Sequence, residues 1–246
     1  MADVGISDLF EDGVGFGAKT MSSIKDVTLF PRRYFLAAQT KDWSGYSPSI
    51  RVYVVLLAVS SYLRYLYIGD GQLMTELYAG QFQLVIDELS KTEPRWAEVD
   101  ARDLADSVLS NLFFYLPFVS FALYTLFGMV WRAYAEPLPI AVRVRYIYAL
   151  LIPATLFMLA GTVLMVILPE SWAGVVSFGS LLASAVVVSV TAYFGAFPPE
   201  ESPGGRFGRA FTLGFCLIGV MLLATLLTLS GSTFAAMREA YAATAI

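Results

Sequence analysis

Long apolar blocks alternate with short polar connections along this chain, and the blocks lack the amphipathic spacing of helices that hide one face from water. About twenty consecutive apolar residues suffice for a helix to cross the hydrocarbon core of a bilayer. On that measure the pattern predicts five spans, at about 50–68, 107–131, 146–168, 172–197 and 210–229. The expected fold is an all-α integral membrane protein. It is a bundle of about five transmembrane helices with an interfacial N-terminal segment, 1–49, and one helical extracytoplasmic loop, 69–106. A small-residue tail, 230–246, carries the pair Arg238 and Glu239.

The ends of these blocks refine the picture. Ser22 to Phe30 reads as a short helix stopped by Pro31. Arg32, Arg33, Tyr34, Phe35 and Leu36 then mix basic and aromatic side chains in a way that suits a headgroup layer. Arg64 interrupts the far end of the first span, where a long side chain snorkels to the headgroups or faces the bundle. In the large loop, Gly69-Asp70-Gly71 signals a turn, Leu73, Leu77, Val85 and Leu89 fall near helical spacing, and Pro94 suits a helix start. Pro117 and Pro153 lie inside spans two and three and predict bends. Only Pro169-Glu170-Ser171 separates spans three and four, so these must form a tight antiparallel hairpin. Trp131, Tyr146, Tyr148, Trp172, Tyr193 and Phe197 stand where interfacial aromatics belong.

Charge then sets a direction. With five spans, eleven Lys and Arg fall on the side of the N-terminus and four on the other, which makes the N-terminus cytoplasmic and the C-terminus extracytoplasmic. A four-span rival, in which 50–68 does not cross, gives eleven against five. It is disfavoured because it exports Arg132, Arg143 and Arg145 at the ends of two spans. Residues 1–49 carry Asp3, Asp8, Glu11 and Asp12 and no basic start before an apolar run, so insertion is expected to rest on an internal span.

Composition mainly excludes. Hydrophobic residues make up 57% and charged residues 15%, against roughly a quarter charged in soluble domains. The absence of histidine removes histidine catalysis, histidine metal ligation and histidine proton relays. One cysteine, Cys216, allows neither an intrachain disulfide nor a thiolate cluster, and inside span five it reads as a small apolar filler. The nine acidic residues of 69–106 match no metal loop by spacing and read as a solvated cap. Gly13, Gly15 and Gly17 follow no strand and precede no Lys-Ser/Thr pair, so they form a hinge and no phosphate cradle. The basic residues are too few for nucleic acid, and no cofactor is implied.

Two sets of residues stand out. Gly179 with Ala183, and Ser180 with Ser184, give small-xxx-small spacing in span four, a helix-packing face. Arg32, Arg33, Arg51 and Arg64 are the candidates for meeting lipid phosphate in headgroups or a lateral groove. The spans carry no Asp or Glu between their ends, which argues against ion-coupled transport.

Tyr46-Ser47-Pro48-Ser49-Ile50-Arg51-Val52-Tyr53 and Leu112-Phe113-Phe114-Tyr115-Leu116-Pro117-Phe118, the latter leading on to Arg132 and Tyr134, resemble a bacterial family. Its multi-pass membrane proteins have no assigned function, and many carry an N-terminal zinc ribbon. The resemblance covers roughly residues 20 to 165. This chain has no cysteine or histidine near its N-terminus, so the ribbon is missing. The likeness implies a helical fold in a bacterial inner membrane and carries over no activity. The expected role is a non-enzymatic accessory or assembly subunit, partnered by the bilayer and by another membrane protein or a copy of itself. Two alternatives stay open: a lipid-handling or small-molecule transport protein, and a membrane-embedded enzyme built around Arg64, Asn111 and Tyr115.

Overall fold

The computed structural model describes residues 17–65, 73–132, 137–167 and 172–244, with only the backbone described at Arg64, Tyr65, Leu73, Met165, Val166, Ala173, Gly174 and Ser177. Among the described residues all regular structure is helical. The helices are α1 (Ala18–Leu29), α2 (Pro31–Thr40), α3 (Ser49–Tyr65), α4 (Leu73–Ser90), α5 (Ala101–Val130), α6 (Ile140–Ile167), α7 (Ala173–Thr191) and α8 (Pro203–Ala243). A 3-10 turn at Pro94–Glu98 precedes α5, and a π-helical turn at Ala192–Ala196 extends α7. Four stretches are long and apolar enough to cross a membrane: Ala101–Val130, Ile140–Leu164, Phe178–Ala196 and Pro203–Ala243. The first predicted span appears as a shorter apolar helix, Ser49–Leu63. Its expected end at Ile68 lies outside the described residues, as do Gly13 and Gly15.

The helices divide into two compact units, one within residues 1–60 and 121–221, the other within 61–120 and 222–246. In the first, α6 is the pillar: Tyr146 to Ile152 are all buried. Tyr148 reaches α5, its hydroxyl donating to the Phe121 carbonyl at 2.9 Å and lying 2.7 Å from Thr125 Oγ1. Tyr53 of α3 meets Tyr124 and Tyr148 with ring centroids 6.1 and 5.2 Å away. Two glycines allow close approach. A Cβ on Gly161 would lie 3.0 Å from Ser180 Cβ, and one on Gly214 of α8 would meet Ser189 Oγ and sit 2.8 Å from the Ala185 carbonyl of α7. This backbone proximity is what small residues permit between membrane helices.

Helix ends depart from the apolar blocks for local reasons. Pro31 ends α1 but also begins α2, because a proline at the first helical position gives up only an N–H that had no partner. Residues 31–40 are therefore helical. Asp100 caps α5, its Oδ1 accepting from the N–H of Arg102 at 2.7 Å and of Asp103 at 3.3 Å, so the helix starts before the apolar run. At the other end, α8 continues past Leu229 to Ala243. Alanine-rich sequence sustains the helix there, and Ala236 buries against Phe82, Ile86, Leu104 and Val108 in the second unit. That unit is tied further by Arg102–Glu76 at 2.9 Å, by Thr75 donating to Asp106 at 2.8 Å, and by Tyr241, which bonds Glu93 and packs on Trp96.

A candidate membrane-interface site

In the first unit, five helix ends gather beneath α1 and α2. Arg145 Nη1, at the start of α6, donates to the Ala38 carbonyl of α2 at 3.0 Å, and Ser49 Oγ at the start of α3 donates to the Arg145 carbonyl at 2.9 Å. Gly128, near the end of α5, faces the Val144 Cα of α6 so closely that a Cβ there would be 2.9 Å away. Arg32 Nη1 donates to Gly195 O at 3.3 Å and Arg206 Nη2 donates to Tyr193 O at 2.6 Å. These arginines serve the carbonyls of the π-helical turn between α7 and α8. Hence α3, α6 and α8 leave from this end, while α5 and α7 arrive at it.

The N-terminal pair is locked on by buried polar groups. Ser23 Oγ donates to Lys19 O and accepts from the Ser47 N–H, both at 2.8 Å. The Tyr34 hydroxyl donates to Ser47 O at 2.9 Å, and Thr20 Oγ1 lies 3.0 Å from Ser47 Oγ. Burial pushes the Tyr34 phenol well above its ordinary range, so it stays a donor. Phe35 fits against Gly195, where a Cβ would come within 2.7 Å of its ring, and it meets Tyr146 edge-on at 4.8 Å.

The candidate headgroup arginines separate. Arg32 is half-buried on Gly195 O. Arg33 is exposed, with its guanidinium 5.1 Å from the centre of the Phe30 ring, itself exposed. Arg51 is exposed on the first turn of α3 and engaged by other groups. The side chain of Arg64 lies outside the described residues. Of the packing-face residues, Ser180 abuts Gly161, Ser184 is buried and donates to Ser180 O at 2.7 Å, Ala183 is half-buried, and Gly179 faces open space. Asn111 is half-buried, Tyr115 is exposed beside Phe114, and Cys216 is half-buried. No group of three His, Cys, Asp or Glu among the described residues is arranged to hold a metal.

Sequence reasoning counted Arg143, Arg145, Arg206 and Arg209 only as charges. In the structure they organise this end. Arg143 is 6% exposed and donates through Nη1 to the Trp131 carbonyl at 3.0 Å. The Arg206 guanidinium lies 4.2 Å from the centre of the Tyr193 ring, and Arg209 Nη1 stands 3.1 Å from Glu201 Oε1. Their position at the borders of apolar runs was the available signal. No family model, curated protein or solved structure matches this chain.

Proposed function

We propose that this chain is a five-pass membrane protein with its arginine-rich end cytoplasmic, acting as a non-enzymatic accessory or assembly subunit of a membrane complex. Support for the membrane comes from what the long helices present outward. Phe114, Phe118 and Val130 of α5, Val175, Phe178 and Val186 of α7, and Leu226 and Phe234 of α8 are all more than 60% exposed or close to it. Each such side chain forgoes about 1.5–3 kcal/mol when left in water, a cost that lipid removes. Five passes are favoured over four by the hydrogen bonds that join Arg145 to α2 and to the start of α3. Under the positive-inside rule that shared end belongs to the cytoplasm.

The accessory role rests on one observation: six of the hydroxyls within the apolar helices are engaged locally. Thr155, Thr162, Ser184, Ser189, Thr212 and Thr228 each donate to the carbonyl four residues earlier. Such bonds satisfy a polar group in hydrocarbon without aiming it at a substrate. A scaffold that binds neighbours through its apolar surface has this character. Native mass spectrometry of the gently extracted protein tests it. A second polypeptide, or a second copy, held at defined stoichiometry is expected; a monomer free of protein partners under all mild detergents contradicts the role.

A further inference from the structure

We propose that Arg143 and the Trp131 indole form a binding site for a phosphate oxyanion, supplied by the headgroup of an anionic phospholipid; the lipid source rests on the membrane reading above. The guanidinium of Arg143 is buried at the first turn of α6. Among the described residues no carboxylate pairs with it, and its hydrogen bond runs from Nη1 to the neutral Trp131 carbonyl. Its Nε is shielded from solvent and, among the described residues, has no acceptor. The indole Nε1 of Trp131 is likewise a buried donor without an acceptor among the described residues.

A buried charge left unpaired is costly, and proteins keep one where something pairs with it. The chemistry of the vacant partner follows from which atoms are spare. Because Nη1 is committed to the carbonyl, the edge formed by Nε and Nη2 remains, and its two N–H bonds point in parallel. That edge matches two oxygens of a phosphate side-on. The indole N–H adds a further donor on the residue whose carbonyl Arg143 holds, and a tryptophan that directly follows an apolar helix suits headgroup depth. The positive end of the α6 dipole favours the same sign of ligand. Donors in excess of acceptors call for an anion.

The test uses the full chain in detergent, titrated separately with phosphatidylglycerol and with inorganic phosphate, with bound adducts read by native mass spectrometry. Wild-type protein is expected to bind one phosphatidylglycerol tightly and inorganic phosphate weakly. Arg143→Lys keeps the charge but loses the two-donor edge, and should weaken lipid binding about tenfold. Trp131→Phe keeps the ring and should weaken it about threefold. Lys25→Gln, on the exposed side of α1, should leave it unchanged. Should Arg143→Lys fail to fold by circular dichroism, Trp131→Phe decides alone. Inorganic phosphate bound as tightly as lipid, with the same loss in both variants, supports the site and assigns it to free phosphate. Equal binding of both probes by wild type and variants overturns the proposal. A chain that binds phosphate through Arg143 yet washes off membranes at alkaline pH retains the site and fails the membrane reading.

Discussion

Ser23 stands where α1 meets the chain that enters α3, and its hydroxyl is the acceptor for the buried N–H of Ser47. Ser23→Ala leaves that N–H without its partner, at a cost of about 1–3 kcal/mol. A lower thermal midpoint in detergent is therefore expected, and an unchanged midpoint would remove Ser23 from the account. Nearby, the Tyr46 hydroxyl donates to Asp26 Oδ2 at 2.6 Å. That hydrogen bond, more than partial burial or the carboxylate charge, raises the Tyr46 phenol above its ordinary 10.0. The folded state thus holds this proton more tightly than the unfolded chain. The contribution is complete below about pH 10 and is lost as pH rises through the raised value. Stability measured against Tyr46→Phe should show a constant gap from pH 7 to 9 that closes in stronger alkali; a gap that opens with pH contradicts the assignment. None of this was legible in the sequence. Ser23 and Ser47 are 24 positions apart, and only the fold reveals which hydroxyl meets which amide.

Packing between elements turns on a few glycines. Gly214 of α8 lies against Ser189 and the Ala185 backbone of α7, whereas Gly219 on the same helix faces open space. Gly214→Val must push two backbones apart and should destabilise the fold by about 1–3 kcal/mol, while Gly219→Val should not. The comparison is read as the detergent-resistant folded fraction on heating, and equal losses at both positions would refute the α7–α8 contact. Hydropathy found the apolar cores of α5 to α8, because a run of about twenty apolar residues carries its own signal. It did not find where the helices end. Asp100 starts α5 early through its side-chain cap, and Ser230 to Ala243 extend α8 because helix propensity and the Phe82–Ala236 cluster persist after the hydrophobicity stops. The small-residue spacing in α7 identified a region of close packing but not the partners. Ser180 meets Gly161, and Ala185 with Ser189 meets Gly214, pairings between positions that no local pattern connects.

For the whole molecule, the proposed topology is read from the direction of each helix at the arginine-rich end: three leave and two arrive, as the proposed five alternating passes would require. A reporter fused after Ile246 should therefore read extracytoplasmic, and one fused before α1 should read cytoplasmic. Both on the same side would favour four passes. The charge count alone left those two models nearly level, since eleven basic residues fall inside in either one. The bonds of Arg145 to Ala38 and of Ser49 to Arg145 place the start of α6 beside α2 and the start of α3, and the proposal of five passes draws on that proximity. The central claim is that the outward Phe, Leu and Val side chains of α5 to α8 are solvated by hydrocarbon. Alkaline carbonate washing of membranes that contain the full chain tests this most directly. The protein should stay in the pellet and enter the supernatant only with detergent; release into the aqueous wash without detergent would contradict it.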